Sequence, residues 1–507
     1  MRARTLLKNS GIKCPAGLKD FQALGVSCNS KTVSEGFIFV AIKGARDDGN
    51  KFIAEAIANG ARVVIVQPSA FPARLSPEQA GSRLCTENAW RDSRQLSAKA
   101  SIIKVKNTRK AIAELAAEFY GRPSKEIKVI GVTGTNGKTT VTYLIEAIIK
   151  EAGSEPAVVG TINYRFKNKV TPSKNTTPGP VDLQAMLGEM RDAQVHYCVM
   201  EVSSHALDQG RTQAIDFGCG IFTNLTQDHL DYHKTLESYF KAKSRLFKGL
   251  SAQASAIINI DDNLASKLAK LTKAKVTTYG IDGGADIRAS DIEFDVCGTE
   301  FTLSSPRGKI NIKVSLIGRH NIYNILAAFA WAQNEGIDLE IIKRAIEKFS
   351  LVPGRLERVE CGSGYSVFVD YAHTEDALKN IIQSLRQVCD KRIIVVFGCG
   401  GERDKTKRPK MGRVVSELSD YAIITNDNPR SEDPDKIIED IKKGIKKDNF
   451  CVITERMEAI RKSLSVARQG DVILVAGKGH EDYQIINGKT LHFDDREAVK
   501  ECLKSLN

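Results

Sequence analysis

The sequence predicts an α/β protein of three domains. Three observations carry that prediction: a length of 507 residues, more than one hydrophobic core usually organises; apolar strand-like runs that alternate with amphipathic helical stretches; and a glycine-rich segment, GVTGTNGKTT from Gly131 to Thr140, set between a strand and a helix. Apolar residues make up 42% and charged residues 27%, the proportions of a folded protein rather than a disordered one.

The first piece, 1–107, reads strand, helix, strand through GFIFVAIKG, NKFIAEAIANGA and RVVIVQP, a small α/β unit. The polar stretch TENAWRDSRQLSAKA is expected to be an exposed loop. The second piece, 108–350, opens on the amphipathic helix TRKAIAELAAEFYG. The strand EIKVIGV, the glycine segment and the helix TTVTYLIEAIIKEAG follow, with further strands at VHYCVMEV and ASAIINI. The third piece, 351–507, alternates YSVFVDYA, KRIIVVFG, YAIITND and DVILVAGKG with helical stretches, the pattern of a parallel, Rossmann-like sheet.

No signal-peptide core and no membrane-length apolar run occurs, so a cytoplasmic protein without membrane insertion is expected. The 11 cysteines include no CxxC pair, which favours reduced thiols over a zinc site. A net charge of +13 suits a nucleic-acid partner or polyanionic small substrates; the scattered lysines, with no nucleic-acid motif, favour the second.

The glycine segment departs from Walker spacing, because Val132 stands six positions before Lys138 where a glycine would be. Strand, loop and helix are nevertheless the context for phosphate binding: backbone N–H groups at a helix N-terminus, the Lys138 ammonium and the Thr139 hydroxyl suit a triphosphate and Mg²⁺.

TGTNGKTT is similar to the ATP loop of the Mur ligase superfamily, and the resemblance extends over essentially the whole chain. It is carried by NTTP, MEVSSHALDQGR, TNLTQDHLDYH, YFKAKSRLF and GRHNIYNILAA in the second piece, and by PGRLE, DYAHTEDAL, GCGGERDKTKRPKMG, DNPR and GKGHEDY in the third. The resemblance implies a UDP-binding N-terminal domain, a central P-loop ATPase domain and a Rossmann-like C-terminal domain. It also implies an ATP-dependent ligase of peptidoglycan precursor synthesis that extends UDP-N-acetylmuramoyl-L-alanyl-D-glutamate through an acyl phosphate. A monomer is expected.

The same resemblance assigns residues. ATP falls to Gly134, Thr135, Asn136, Gly137, Lys138, Thr139 and Thr140, to His320, Asn321 and Asn324 on the adenine side, and to Arg355 and Asp370 at phosphates and ribose. Catalysis falls to Lys138, Glu201, His229 and Lys243. Mg²⁺ would be held by Thr139 and Glu201, and a second ion by His229 and by Lys243 as its CO₂-derived carbamate. The residues alone do not distinguish Lys241 from Lys243. Of 8 histidines, His205, His229, His233, His320, His373 and His480 fall inside these motifs; His373 matches a position near the reacting groups. For the UDP-sugar peptide the matching positions are Ser30, Asn175, Thr176, Thr177, Ser203, Gln209, Arg211 and Lys243. Around Ser30 the chain has Asn29 and Lys31 where the family has aspartate and arginine, although Gly36, Phe39, Gly44, Asp48 and Gly49 fit.

For the amino acid, the resemblance points to meso-2,6-diaminopimelate through Asp427, Asn428, Pro429 and Arg430, with Arg403, Gly477 and Glu481. The physics agrees: diaminopimelate differs from lysine by one distal carboxylate, which a planar guanidinium grips in bidentate fashion. The alternatives are a lysine-adding ligase of the same family and a non-catalytic scaffold. Domain closure about hinges near 107 and 350 is expected, since ATP and amino acid must meet.

Overall fold

The computed structural model describes residues 1–44, 47–68, 100–295, 298–350, 352–361 and 364–506. The polar stretch expected as an exposed loop lies outside them except for Ala100. Contacts divide the chain into two units: Met1–Val129 with Arg165–Cys198 and Val202–Phe217, and Ile130–Tyr164 with Val199–Glu201 and Gly218–Asn507. Among the described residues no helix is long and apolar enough to cross a membrane, and the nine described cysteines are all free.

The first unit is built on four parallel strands, Gly25–Ser27, Phe37–Val40, Ala61–Val66 and Ser101–Lys104. Strand side chains alternate between faces, and both faces are covered. Ile38, Val40, Val63 and Ile65 join Leu6, Leu7 and Phe21 in one core. Phe39, Val64 and Val66 join Ile53 and Ile57 of helix Ile53–Ala58 in the other. Helix Thr108–Phe119 starts at Asn107, whose side chain accepts from Lys110 N at 3.0 Å, and it buries Ala111, Ile112 and Leu115 in the first of these cores.

Two large sheets, together with a two-stranded one, lie mainly in the second unit. One runs, from an edge, Gly308–Val314, Gly298–Ser305, Ile287–Asp295, Lys275–Gly280, Ser255–Asn259, Phe217–Phe222, Lys128–Thr133, Tyr197–Glu201 and Pro156–Val159. Its first three strands form an antiparallel meander that the apolar runs did not predict; residues of Ile287–Asp295 alternate between buried and exposed. The other sheet orders Glu357–Val359, Ser366–Asp370, Val472–Ala476, Ile393–Phe397, Tyr421–Ile424 and Phe450–Val452, parallel except for the first. Its central strands are apolar throughout because both faces are covered: Ile393, Val395 and Phe397 enter one core, Ile394 and Val396 the other.

An ion pair with no exposure ties the carboxyl ends of this sheet together. Arg456 Nε and Nη2 each donate to Asp495 at 2.7 Å, while Nη1 donates to Asn426 O and Nη2 to Ala476 O, both at 3.0 Å. Removing one partner would strand a buried charge. Asp495→Ala is therefore expected to destabilise the C-terminal sheet by about 3–5 kcal/mol, read as a shift of its urea unfolding transition.

Candidate active site

Three neighbouring strands of the larger sheet, Phe217–Phe222, Lys128–Thr133 and Tyr197–Glu201, end at one place, where open α/β sheets gather ligands. The glycine loop follows the middle strand and leads into helix Lys138–Glu151. Its glycines are sterically required: a Cβ on Gly134 would stand 1.8 Å from Thr223 Oγ1, and one on Gly137, at φ +87°, would stand 2.4 Å from Asn324 Oδ1. The loop is braced by Asn136 N, which donates to Asn224 Oδ1 at 2.9 Å, and by Thr223 Oγ1, which donates to Asn136 O at 2.6 Å.

Lys138 is half-buried, and its Nζ donates to Gly134 O at 3.0 Å and Thr135 O at 2.9 Å. Thr139 and Thr140 are buried in the first helical turn. Thr139 Oγ1 donates to Glu201 Oε2 at 3.1 Å. Glu201, the last residue of its strand and 1% exposed, also accepts from Thr161 N at 2.8 Å and Thr161 Oγ1 at 2.9 Å. A hydroxyl beside a buried carboxylate is a hard-oxygen donor set that fits Mg²⁺.

The structure separates the two lysines of YFKAK. Lys241 is exposed, whereas Lys243 is 1% exposed, donates to Gly134 O at 2.7 Å and lies over the Tyr239 ring, 4.5 Å from its centre. Burial, and then the nearby Lys138 ammonium, push the Lys243 amine well below the usual lysine range. The signal was present in the sequence: Tyr239, Lys243, Leu246 and Phe247 share one helical face. Tyr239 itself went unassigned, yet it also meets the His229 ring edge-on at 6.2 Å and lies 3.3 Å from Thr135 Oγ1. His229 has a left-handed backbone, φ 54°, and its Nε2 is 3.5 Å from Asp228 Oδ2.

The last part of the chain reaches the loop. Arg355 Nη2 donates to Thr139 Oγ1 at 3.3 Å, and Asp376 Oδ2 accepts from Asn136 Nδ2 at 2.8 Å and Thr226 Oγ1 at 3.3 Å. Asp376 lies within DYAHTEDAL, where no sequence pattern marks it for a role. Asn324 Nδ2 donates to Asn321 Oδ1 at 3.1 Å. His320 keeps its Nδ1 buried without a hydrogen-bond partner. Asp370 accepts from Leu356 N and Ala372 N, both at 2.6 Å, and burial pushes its carboxyl up to about 6 against the pull of Arg355. The Tyr371 ring has the Arg355 guanidinium 4.7 Å from its centre and the rings of His373 and His480 at 4.7 and 5.0 Å. His373 Nδ1 is 2.8 Å from Tyr371 O.

Past the carboxyl ends of the C-terminal sheet lie the residues expected to hold the amino acid. Arg430 Nη1 donates to Gly401 O at 2.7 Å; a Cβ on Gly400 would stand 3.0 Å from Arg430 Nη1 and 3.7 Å from Arg403 Cγ, so the two arginines flank one glycine. Arg430 has φ 58°, a conformation costing a non-glycine residue about 1–2 kcal/mol. Pro429 leads into it, with its carbonyl accepting from Glu432 N at 3.0 Å. Asn428 Nδ2 donates to Glu481 Oε2 at 2.9 Å, and a Cβ on Gly477 would stand 3.3 Å from Asp427 Oδ2. Fully buried Lys478, within GKGHEDY, lies 3.9 Å from Asp427 Oδ1 and 3.7 Å from Glu481 Oε2. Burial and the Asp427 charge push Glu481 up to about 7, against Lys478.

In the first unit, Thr177, Ser203, Gln209 and Arg211 form one network. Ser203 N donates to Thr177 Oγ1 at 3.0 Å, Arg211 Nη1 donates to Thr177 O at 2.8 Å, and Arg211 Nε and Nη2 donate to Gln209 Oε1 at 3.0 and 2.7 Å. Asn175 is exposed and Thr176 half-buried in the turn before them. Ser30 is not in this network; it is buried and donates to Glu55 Oε2 at 2.7 Å. Phe39 is a core residue.

The chain matches the Mur ligase middle domain over 132–332, the Mur ligase glutamate ligase domain over 354–479 and the Mur ligase family catalytic domain over 23–120. It belongs to the Mur ligase family. Among its relatives are two proteins named UDP-N-acetylmuramoyl-L-alanyl-D-glutamate–2,6-diaminopimelate ligase: one from Clostridium tetani, 43% identical over 100% of both chains, and one from Clostridium botulinum, 45% identical over 95% of each. A solved structure bearing the same name is 32% identical, covers 99% of both chains and superposes with a TM-score of 0.68. Mycobacterium tuberculosis folylpolyglutamate synthase, complexed with ADP and AMPPCP, is 18% identical and shares the fold over 73% of this chain and 92% of its own, with a TM-score of 0.62.

Gly134→Ala is expected to weaken nucleotide binding at least about tenfold, a loss of about 1.4 kcal/mol, in a calorimetric titration with ADP.

Proposed function

We propose that the chain joins meso-2,6-diaminopimelate to UDP-N-acetylmuramoyl-L-alanyl-D-glutamate at the expense of ATP. The observation that carries this reading is the pair Arg403 and Arg430 at Gly400, with the acids Asp427 and Glu481 placed around Lys478 on the same end of the sheet. The far end of diaminopimelate carries both a carboxylate and an ammonium, and such a set offers each a partner. Lysine carries only the ammonium and would leave the guanidinium unpaired.

The γ-phosphoryl group passes to the D-glutamate carboxylate and ADP leaves. The amine then attacks the acyl carbon, phosphate leaves with the bonding pair, and the nitrogen loses a proton. Bringing a carboxylate to a triphosphate opposes like charges, each pair about 4 Å apart costing roughly 4 kcal/mol at an effective dielectric of 20. The backbone amides of 134–140, Lys138 and Arg355 offset that repulsion. Mg²⁺ supplies the remaining charge neutralisation when bound, with Thr139 and Glu201 as one set of ligands and His229 with carbamylated Lys243 as the other. His320, Asn321, Asn324 and Asp370 hold the nucleoside.

The carbamate rests on the surroundings of Lys243: its amine is buried against the loop beside a second lysine, where an anionic group relieves repulsion that an ammonium would add. Thr177, Ser203, Gln209 and Arg211 take the muramoyl peptide, with Asn175 and Thr176. Ser30 is the site's uridine-side residue in this reading, and division of the chain at 107 and 350 remains part of it.

Given ATP and the UDP-muramoyl dipeptide, the protein is expected to release phosphate with diaminopimelate at least about 10⁴-fold more efficiently than with lysine, the discrimination available when a polar site loses its partner. Equal rates would refute the reading. Lys243→Ala is expected to lower turnover about 10²–10³-fold, and the carbamate resonance seen by NMR after exposure to ¹³CO₂ should vanish in the variant.

A further inference from the structure

Residues 483–492 form a two-stranded hairpin, Tyr483–Ile486 with Lys489–His492, that has no role in the chemistry above. Its turn is Asn487-Gly488, both at positive φ, 49° and 74°, the two-residue turn that suits strand twist. What the hairpin touches is the amino-acid loop. Gln484 Nε2 donates to Asp427 O at 2.7 Å, Ile485 N donates to Asn428 Oδ1 at 2.9 Å, Arg430 N donates to Ile485 O at 2.9 Å and Asn487 N donates to Arg430 O at 2.7 Å. Every residue of the loop but Pro429 is therefore tied to this hairpin. Arg430 is tied on both sides of its backbone, at the residue whose left-handed conformation needs outside support.

Of these ties only one is made by a hairpin side chain. Gln484 is 4% exposed, and because the Asp427 carbonyl can only accept, the amide must present its NH₂ there. We infer that Gln484 is a positioning residue for amino-acid selection: through Asp427 O it fixes the loop that aims the Arg430 guanidinium, without itself touching the substrate. This rests on the function proposed above. The loop is anchored to a hairpin rather than to the phosphate site, so disturbing the anchor moves the carboxylate clamp and leaves phosphoryl transfer alone.

Gln484→Met keeps length and bulk but cannot donate; Gln484→Glu keeps shape and turns the donor into an acceptor. With wild type as reference, each variant is assayed with diaminopimelate, lysine and ATP varied in turn, and its melting temperature is recorded. The KM for diaminopimelate is expected to rise about tenfold, as misplacement of a contact by a fraction of an ångström does. The preference over lysine should fall in proportion, with kcat and the KM for ATP within about twofold of wild type. An unchanged diaminopimelate KM in folded variants would overturn the inference. So would a parallel fall in kcat and ATP affinity, or failure of both variants to fold, either of which marks Gln484 as merely structural. A wild-type protein that ignores diaminopimelate would instead refute the proposed function, and this inference with it.

Discussion

Two lysine side-chain nitrogens, those of Lys138 and Lys243, donate to one carbonyl oxygen, that of Gly134. Much of the catalytic arrangement follows from that crowding. A carbonyl dipole could not neutralise both amines if they were charged, and Lys243 is out of reach of water, so the loop is a place where added negative charge is favoured. In the proposed reaction a triphosphate would supply it from one side. A carboxylate made on Lys243 itself would supply it from the other. The glycines make the convergence possible, because any side chain at 134 or 137 would displace Thr223 or Asn324 and with them the bonds that shape the loop.

The C-terminal sheet answers the same constraint from the opposite direction. Arg355 reaches Thr139, and Asp376 reaches Asn136 and Thr226, so a cation is delivered to the phosphate side and an anion to the loop's amide side. Neither is redundant with the loop's own groups: Arg355 extends the chain of donors that ends at Glu201, while Asp376 fixes a side chain that the loop backbone leaves unengaged. In the proposed function, the second sheet thus supplies part of the phosphate site.

Legibility of these features in the sequence tracks burial. Strands such as Ile393–Phe397 and Val472–Ala476 are buried on both faces, and their apolar runs announce them. The meander strands Ile287–Asp295 and Gly308–Val314 turn many positions to solvent, and the strand Lys489–His492 is exposed throughout, so polar residues dilute the pattern; Asn487-Gly488 was the remaining local signal for the hairpin. The glycine loop was legible because its function is written in backbone geometry that only glycine adopts cheaply. The choice between Lys241 and Lys243 turned on which helical face is inside, and the spacing from Tyr239 to Phe247 contained that answer. Lys478, Asp376 and Gln484 were harder: each acts on a residue distant in sequence, and no local pattern encodes such a partner.

In the proposed function, amino-acid choice sits on a framework separable from this electrostatic centre. The bonds that shape the loop 427–430 go to backbone atoms and to the Asn428 amide, and Arg456 fixes the strand ends on which that loop and Gly477 stand. Among the described residues, the hydrogen bonds of the Arg430 side chain go to Gly401 O and Asn428 O. A different side chain at 430 could therefore stand on the same loop, provided it tolerated the left-handed backbone, and alter which molecule is accepted without touching Lys138, Glu201 or Lys243. The specificity element is braced by the sheet that carries it, and the transfer element by the strand ends of another, to which the C-terminal sheet adds Arg355 and Asp376.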